Sequence, residues 1–200
     1  RQSQHFDMLF AVARRAGWVD DTVDLKHIGY GMVLGQDRKP FKTRDGGTVR
    51  LKDLIEESLT RARAMVKQNR RGNEDSTQAK FQPDEEEKIA HAVGLAAIKY
   101  ADLSHNLASD YVFDWNTMLA MDGNTGPYML YAVARMMSIG RKAGLNLELV
   151  NPRWKLVPKE PVEIDLIKVL TRFGDVLNLV YETLRPNVLT DYLYDVSKAF

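Results

Sequence analysis

The sequence contains no cysteine among its 200 residues. Disulfide bonds, thiolate nucleophiles and cysteine-ligated zinc sites are therefore excluded. Histidine is also scarce, and the four that are present lack the HxxH or HExxH spacing that would place two metal ligands on one helical face: His5, His27, His91 and His105. The sequence thus predicts no metal site held by the protein.

Long apolar runs and an excess of either charge are missing as well. There is no run of about 18 apolar residues and no signal-like apolar start, so the sequence predicts a cytoplasmic protein without a membrane span. The 28 Lys and Arg residues nearly balance the 27 Asp and Glu residues. Bulk charge therefore does not favour nucleic-acid binding, and any RNA-binding surface has to be local.

The two ends of the sequence predict an internal piece of a longer protein. The chain begins without Met, and residues 193–200 continue a helical pattern without a Gly, Asn or Pro stop signal. With 44% hydrophobic residues, the chain can bury one good core or two modest ones.

Helical spacing of apolar residues is the main structural signal. Gly17 would end the first helix, and the acidic run from Asp84 to Glu87 is interpreted as a solvated first helical turn, because consecutive carboxylates cannot converge on a metal. Long helices with short connections are typical of an α-bundle, with a domain boundary expected within 114–124. The predicted helices cover residues 3–16, 51–68, 84 onward, 128–143, 162–184 and 186 onward.

A smaller set of signals predicts strands, turns and a linker. Residues rich in β-branched and apolar side chains favour strands, and Gly, Pro and Asp mark turns. Strands are expected at 23–28 and 30–34, turns at 35–37, 40 and 45–47, and a polar linker at 69–83.

Two neighbouring segments combine residue types suited to a nucleotide. Residues 27–35 (HIGYGMVLG) join an imidazole to closely spaced glycines and an apolar run, which would let a flat ring lie against bare backbone. The alternative is that these glycines mark tight turns. Residues 39–48 carry three cations and two threonines, and such a loop can close over polyphosphate or remain a solvated charged loop.

A third candidate is a stripe on one predicted helix. Tyr128, Tyr131 and Arg135 follow the spacing i, i+3, i+7, which places their side chains on one face. This pattern is equally typical of a buried core with an arginine at its rim.

Several ordered motifs resemble class I arginyl-tRNA synthetases. Residues 27–35, followed by FKTRDGGTVRL at 41–51, are similar to the region that holds the altered K-M-S-K-S loop of that family. Further similar motifs follow in order, and the resemblance covers essentially the whole chain: AIKYADLS at 97–104, DYVFDW at 110–115, GNTGPY at 123–128, where the family usually has Ala in place of Gly126, and AVAR at 132–135.

The resemblance implies a mostly α fold with three parts. Residues 1–50 would end a Rossmann-like α/β catalytic domain, 51–115 would form a helical connection, and 116–200 would begin an α-helical bundle that binds the anticodon. The implied enzyme is an arginine–tRNA ligase, which uses ATP with Mg²⁺ to form arginyl-adenylate and then charges arginine tRNA. We expect a monomer. The H-I-G-H motif of the family is not in the chain, so the chain alone is expected to be inactive.

The resemblance also assigns site residues. Thr43 takes the place of the second lysine of the loop, which leaves open which cation does that lysine's work. Gln2 would contact arginine, although it could simply cap the first helix. The remaining implied sites are the catalytic loop Lys42, Thr43 and Arg44, the ATP-binding residues His27, Gly29, Gly31, Met32 and Val33, and the tRNA-binding residues Asn124, Thr125, Tyr128, Tyr131 and Arg135. The alternatives are a stand-alone helical tRNA-binding module and a helical scaffold protein.

Overall fold

Helices make up most of the computed structural model, which describes residues 2–40, 50–72, 82–145, 155 and 157–200, without the side chains of 69–72. The expected mostly α fold is confirmed. The described elements are α1 (Gln2–Arg15), β1 (Val33–Leu34), α2 (Leu51–Gly72), α3 (Pro83–Ser104), β2 (Tyr111–Val112), α4 (Trp115–Met118), α5 (Gly126–Lys142), α6 (Pro161–Thr171), α7 (Phe173–Thr183) and α8 (Pro186–Ala199).

The first helix ends as predicted. Gly17 follows α1 with a φ of 70°, the left-handed conformation that glycine adopts without steric cost. Arg14 then fixes the next turn, because its guanidinium donates hydrogen bonds to the carbonyl oxygens of Asp20 and Val23 at 3.2 and 3.1 Å.

The strand prediction for 23–28 is wrong, and the prediction for 30–34 holds only at its end. β1 pairs in parallel with β2, with Val33 opposite Tyr111 and Leu34 opposite Val112. A strand needs a neighbour that satisfies its backbone hydrogen bonds. In the described part of the chain β1 has only the two-residue β2 beside it in the sheet, so the residues before Val33 stay irregular.

A tight turn follows β1, as predicted for 35–37. The Arg38 N–H donates to the Gly35 carbonyl at 2.9 Å, and the Gly35 N–H donates to the Lys39 carbonyl at 2.8 Å. An antiparallel bridge between Leu34 and Pro40 closes the turn. The turn predicted at 45–47 lies outside the described residues.

The helices α2 and α3 approach each other through small side chains. Ala62 and Ser58 are completely buried, and Ala90 is nearly so. The Ser58 hydroxyl donates to the Gly94 carbonyl at 2.8 Å. A Cβ atom at Gly94 would lie 3.2 Å from the Cα of Leu59, so a larger side chain would push the two helices apart.

Both ends of this helix pair differ in length from the prediction. α2 continues to Gly72, which leaves a shorter connection than the predicted linker at 69–83, and 73–81 lie outside the described residues. α3 begins at Pro83 with a capping box between Gln82 and Glu85. The acidic first turn is confirmed. Next to it, Glu87 makes an ion pair with Arg63 of α2 at 2.6 Å, which lowers the pKa of the Glu87 carboxyl mainly through that hydrogen bond.

The second half of α3 is the surface on which α5 and α8 pack. Gly126, the first residue of α5, lies so close to α3 that a Cβ atom there would overlap the Ala96 carbonyl and lie 3.0 Å from the Ala97 nitrogen. The absence of a side chain at Gly126 therefore sets the distance between the start of α5 and α3.

The helix predicted over 162–184 is in fact two helices, α6 and α7, that meet at Arg172. Both contact α8. At the junction the Tyr192 ring stacks on Phe173 with centroids 5.7 Å apart, and the Tyr192 hydroxyl donates to the Leu170 carbonyl at 3.4 Å. The break thus lies where Tyr192 of α8 contacts residues on both sides of Arg172. The helix predicted from 186 onward is confirmed as α8.

We expect Ala62→Leu to lower the free energy of unfolding by about 1–3 kcal/mol, because the added atoms have no space between α2 and α3. Ala64→Leu is the matched control, since Ala64 is exposed on the same helix, and its effect should stay within about 0.5 kcal/mol. Urea denaturation measures both values. Equal effects of the two substitutions would contradict the close contact.

Candidate functional site

The residues predicted for ATP lie on the irregular segment 27–32 and on β1. The His27 ring stacks on Phe6 of α1 with centroids 4.5 Å apart, so one of its faces is occupied by the protein. Gly29 is exposed, and a Cβ atom placed there would meet no atom within 4 Å. Gly29 therefore offers bare backbone to open space.

Gly31 is in a different environment from Gly29. A Cβ atom at Gly31 would overlap the Ser109 carbonyl and lie 2.7 Å from the Asp110 nitrogen. The Gly31 N–H donates to the Leu107 carbonyl at 2.6 Å. The need for glycine at 31 thus comes from the neighbouring loop, whether or not a nucleotide binds.

The loop after α3, residues 105–110, holds the segment at several backbone atoms. The Met32 N–H donates to the Asp110 Oδ1 at 2.6 Å, and the Tyr111 N–H donates to the Met32 carbonyl at 3.1 Å. Both backbone groups of Met32 are therefore bound by residues that lie nearly 80 positions later in the sequence.

Hydrogen bonds between the two segments continue beyond the paired strands β1 and β2. The Phe113 N–H donates to the Leu34 carbonyl at 2.8 Å, and the Gln36 amide donates to the Asp114 Oδ2 at 2.8 Å. Asp114 also caps α4, where it accepts a hydrogen bond from the Thr117 N–H at 2.7 Å, and that bond lowers the pKa of the Asp114 carboxyl. One carboxylate thus joins the end of β1 to the start of α4.

A cavity of about 670 Å³ opens between the two segments. This volume lies within the range of about 300–1,000 Å³ that is typical of small-molecule sites. Tyr111 lines it with its ring stacked on His105 at 4.2 Å, and burial, followed by the nearby Asp102 carboxylate, raises the pKa of Tyr111 to about 12. Sequence reasoning assigned no role to Ser109, Asp110 or Tyr111.

The other predicted residues of the catalytic part are less informative. Gln2 is exposed at the start of α1. The loop residues Lys42, Thr43 and Arg44 lie outside the described residues. In the ranges that the structure describes, no three His, Asp or Glu side chains form a group that could hold a metal ion, and no helix is long and apolar enough to cross a membrane.

The start of α5 is fixed by Thr125 and Asn124. The Thr125 hydroxyl accepts a hydrogen bond from the Tyr128 N–H at 3.2 Å and donates to the Ala120 carbonyl at 2.7 Å. Thr125 is therefore the N-cap of α5. The Asn124 amide donates to the Asp191 Oδ1 at 3.1 Å, which ties the same turn to α8.

Tyr100 of α3 completes this polar connection. Its hydroxyl lies 2.6 Å from the Asn124 Oδ1 and 2.9 Å from the Thr190 carbonyl, so its single proton is shared between these two acceptors. Burial, followed by the charge of Asp191, raises the pKa of Tyr100 to about 12. The Asn124 side chain is thus occupied by protein groups on both its amide atoms.

The predicted stripe on α5 divides into a packed part and an exposed part. Tyr128 is half-buried and lies edge to face with Tyr194 of α8, with centroids 5.8 Å apart. Tyr131 is 48% exposed, and Arg135 is exposed one turn further along. The core interpretation is wrong for Tyr131, whereas Tyr128 does contribute to packing, and an exposed Arg135 agrees with both interpretations. An aromatic ring and a cation therefore lie on an open helix surface.

Two protein-family models match this sequence. Residues 1–115 match the family model for the catalytic domain of the class I tRNA synthetases for arginine, and residues 129–200 match the DALR anticodon binding domain. The chain belongs to the arginyl-tRNA synthetase family. The resemblance noted in the motifs is thereby confirmed.

Relatives in this family match along the whole chain. An arginine–tRNA ligase from Nostoc is 45% identical and one from Laribacter hongkongensis is 46% identical; each match covers 100% of this chain and 33% of the relative. The crystal structure of the arginyl-tRNA synthetase from Plasmodium falciparum superimposes with a TM-score of 0.76 at 28% identity, over 98% of this chain and 31% of that one. The chain thus spans about a third of the length of these synthetases.

We expect Gly31→Ala to destabilise the protein by about 1–3 kcal/mol, because its methyl group would overlap the Ser109 carbonyl. Gly29→Ala is the matched control and should change the free energy of unfolding by less than about 0.5 kcal/mol, since its methyl group meets open space. Urea denaturation measures both. A tolerated Gly31→Ala would show that the loop contact is not rigid.

The raised pKa of Tyr100 predicts a fall in stability at high pH. Between pH 10.0, the ordinary pKa of this group, and about pH 12, Tyr100 keeps its proton in the folded protein and loses it in the unfolded chain. The free energy of unfolding therefore decreases as the pH rises through this interval. Denaturation at several pH values should give a smaller decrease for Tyr100→Phe, and also for Tyr111→Phe, whose phenol has the same raised pKa. An identical decrease in wild type and Tyr100→Phe would contradict the burial of this hydroxyl.

Proposed function

We propose that this chain is part of an arginine–tRNA ligase. The observation that carries the proposal is the order of the two family matches, a catalytic domain for arginine followed by an anticodon binding domain on one chain. Its relatives are named arginine–tRNA ligases. In the proposed reaction the arginine carboxylate attacks the α-phosphorus of ATP and releases pyrophosphate, and a ribose hydroxyl of the tRNA then displaces AMP from the arginyl-adenylate.

The ATP site is proposed at residues 27–33. The cavity beside this segment, the bare backbone at Gly29 and the ring of His27 support this assignment, because a flat base binds well to apolar and glycine-flanked backbone. Lys42 and Arg44 would stabilise the charge that develops on the phosphates, with Thr43 between them and Mg²⁺ bound to ATP. Gln2 would contact arginine.

The tRNA surface is proposed on α5. Tyr131 offers an exposed ring on which a base can stack, and Arg135 offers a cation for a phosphate. Tyr128 would contribute through the edge of its ring. Asn124 and Thr125 would act by holding the first turn of α5 in place, because their side chains are engaged with α3, α8 and the helix backbone.

The division into parts remains 1–50, 51–115 and 116–200. In this proposal, the first part contributes the ATP segment and the third contributes α5, while α2 and α3 connect them. The family's H-I-G-H motif is not present in this sequence, so adenylate formation needs residues beyond this chain. Activity should therefore be measured with the full-length enzyme.

We expect Tyr131→Ala in the full-length enzyme to weaken binding of arginine tRNA by about 5- to 150-fold, which corresponds to the loss of about 1–3 kcal/mol of base stacking. Arg135→Ala should also weaken binding, and its effect should shrink as salt rises because the contact is to phosphate. Nitrocellulose filter binding with labelled tRNA measures both.

The matched control is Tyr181→Ala, which removes a tyrosine that is 81% exposed on α7. It should bind tRNA normally. All three variants should unfold at nearly the wild-type temperature. Normal tRNA binding by both Tyr131→Ala and Arg135→Ala would refute the tRNA surface, and the absence of arginine-dependent ATP–pyrophosphate exchange in the full-length protein would refute the ligase itself.

A further inference from the structure

We propose that Asp110 is a positioning residue for ATP: its carboxylate binds the Met32 N–H and holds the backbone of residues 29–33 in the shape that receives the base. This inference rests on the proposed ATP site. It concerns a residue that lies outside the segment itself and that touches neither the base nor the phosphates in the proposed arrangement.

The geometry of the hydrogen bond between Met32 and Asp110 suits a role in fixing the segment. The Asp110 Oδ1 lies 2.6 Å from the Met32 nitrogen, a short separation of the kind that an ionised acceptor favours, and the two residues are 78 positions apart. Asp110 is exposed, so its carboxylate is not retained as part of a buried core. Its described contact is directed at one backbone atom of the ATP segment.

Two further hydrogen bonds fix the backbone on either side of the contact with Asp110. The Gly31 N–H is bound by the Leu107 carbonyl, and the Met32 carbonyl is bound by the Tyr111 N–H. Asp110 supplies the bond to the N–H group that lies between them. Without it, the peptide between Gly31 and Met32 could rotate, because glycine has access to most backbone angles.

The two glycines explain why such an anchor matters for binding. Gly31 is pressed against Ser109, whereas a Cβ atom at Gly29 would meet open space. A segment with glycine at both positions is flexible unless its backbone is fixed, and flexibility that is lost on binding reduces affinity. Asp110 fixes the backbone at Met32, which lines the cavity proposed for ATP.

The test is steady-state ATP–pyrophosphate exchange with the full-length enzyme. Asp110→Ala should raise the KM for ATP by about tenfold while kcat and the KM for arginine stay within about twofold. Asp110→Asn keeps an acceptor oxygen at the same place and should remain within about threefold of wild type, which separates the hydrogen bond from the charge. Asp110→Glu shifts the oxygens by one methylene and should raise the KM for ATP, and it replaces Asp110→Ala as the test if that variant does not fold.

Asp122→Ala is the matched control, since Asp122 is an exposed aspartate in the loop before α5, and it should leave the KM for ATP unchanged. Thermal unfolding of every variant accompanies the kinetics. An unchanged KM for ATP in Asp110→Ala and Asp110→Glu overturns the inference. So does an Asp110→Asn variant that is as impaired as Asp110→Ala, because the acceptor would then not be the property that counts.

Gly29→Val separates this inference from the ATP site on which it rests. A Cβ atom at this position meets no atom within 4 Å, so the variant should fold, and it should raise the KM for ATP if the base lies against the segment. A rise for Gly29→Val without one for Asp110→Ala leaves the ATP site in place and overturns the role of Asp110. No rise for either overturns both. A rise for Asp110→Ala alone supports its role and moves the base contact away from Gly29.

Discussion

Close contact along α3 is the constraint on which the described structure depends. At Gly94 the helix meets α2, near Ala96 it meets the first turn of α5, and at Tyr100 it is bonded to the turn before α5 and to α8. Its C-terminal end leads directly into loop 105–110, which holds the proposed ATP segment. The distance between the ATP segment and the exposed face of α5 is therefore set by one helix and by the small side chains on its surface.

The sequence predicts those parts of the fold that depend on local spacing. The helices were found because apolar residues recur at helical intervals, and the start of α3 was found because acidic residues favour a helix N-terminus. The strand predictions for 23–28 and 30–32 are wrong, since a strand is stabilised by its neighbour, and β2 is only two residues long. The break at Arg172 was missed for a similar reason: it follows from the position of Tyr192, and the periodicity continues through it.

For the candidate site, too, local patterns predict some features and miss those that depend on distant residues. Motif order indicates the proposed ATP segment and the α5 stripe, but the spacing of Tyr128, Tyr131 and Arg135 could not show that Tyr194 packs against Tyr128. The glycines at 29 and 31 look equivalent in the sequence, and only the position of Ser109 separates a packing glycine from an open one. The contact of Asp110 joins residues 78 apart, so no local pattern reveals it.

Gly126 limits which helices can be exchanged between this chain and a relative. A Cβ atom at this position would overlap the Ala96 carbonyl of α3, so any residue other than glycine requires α3 and α5 to lie further apart. The spacing of α3 and α5 in this chain is thus matched to a missing methyl group. A chimera that receives an α5 with a side chain at this position needs a wider gap, so α3 and α5 have to be exchanged together.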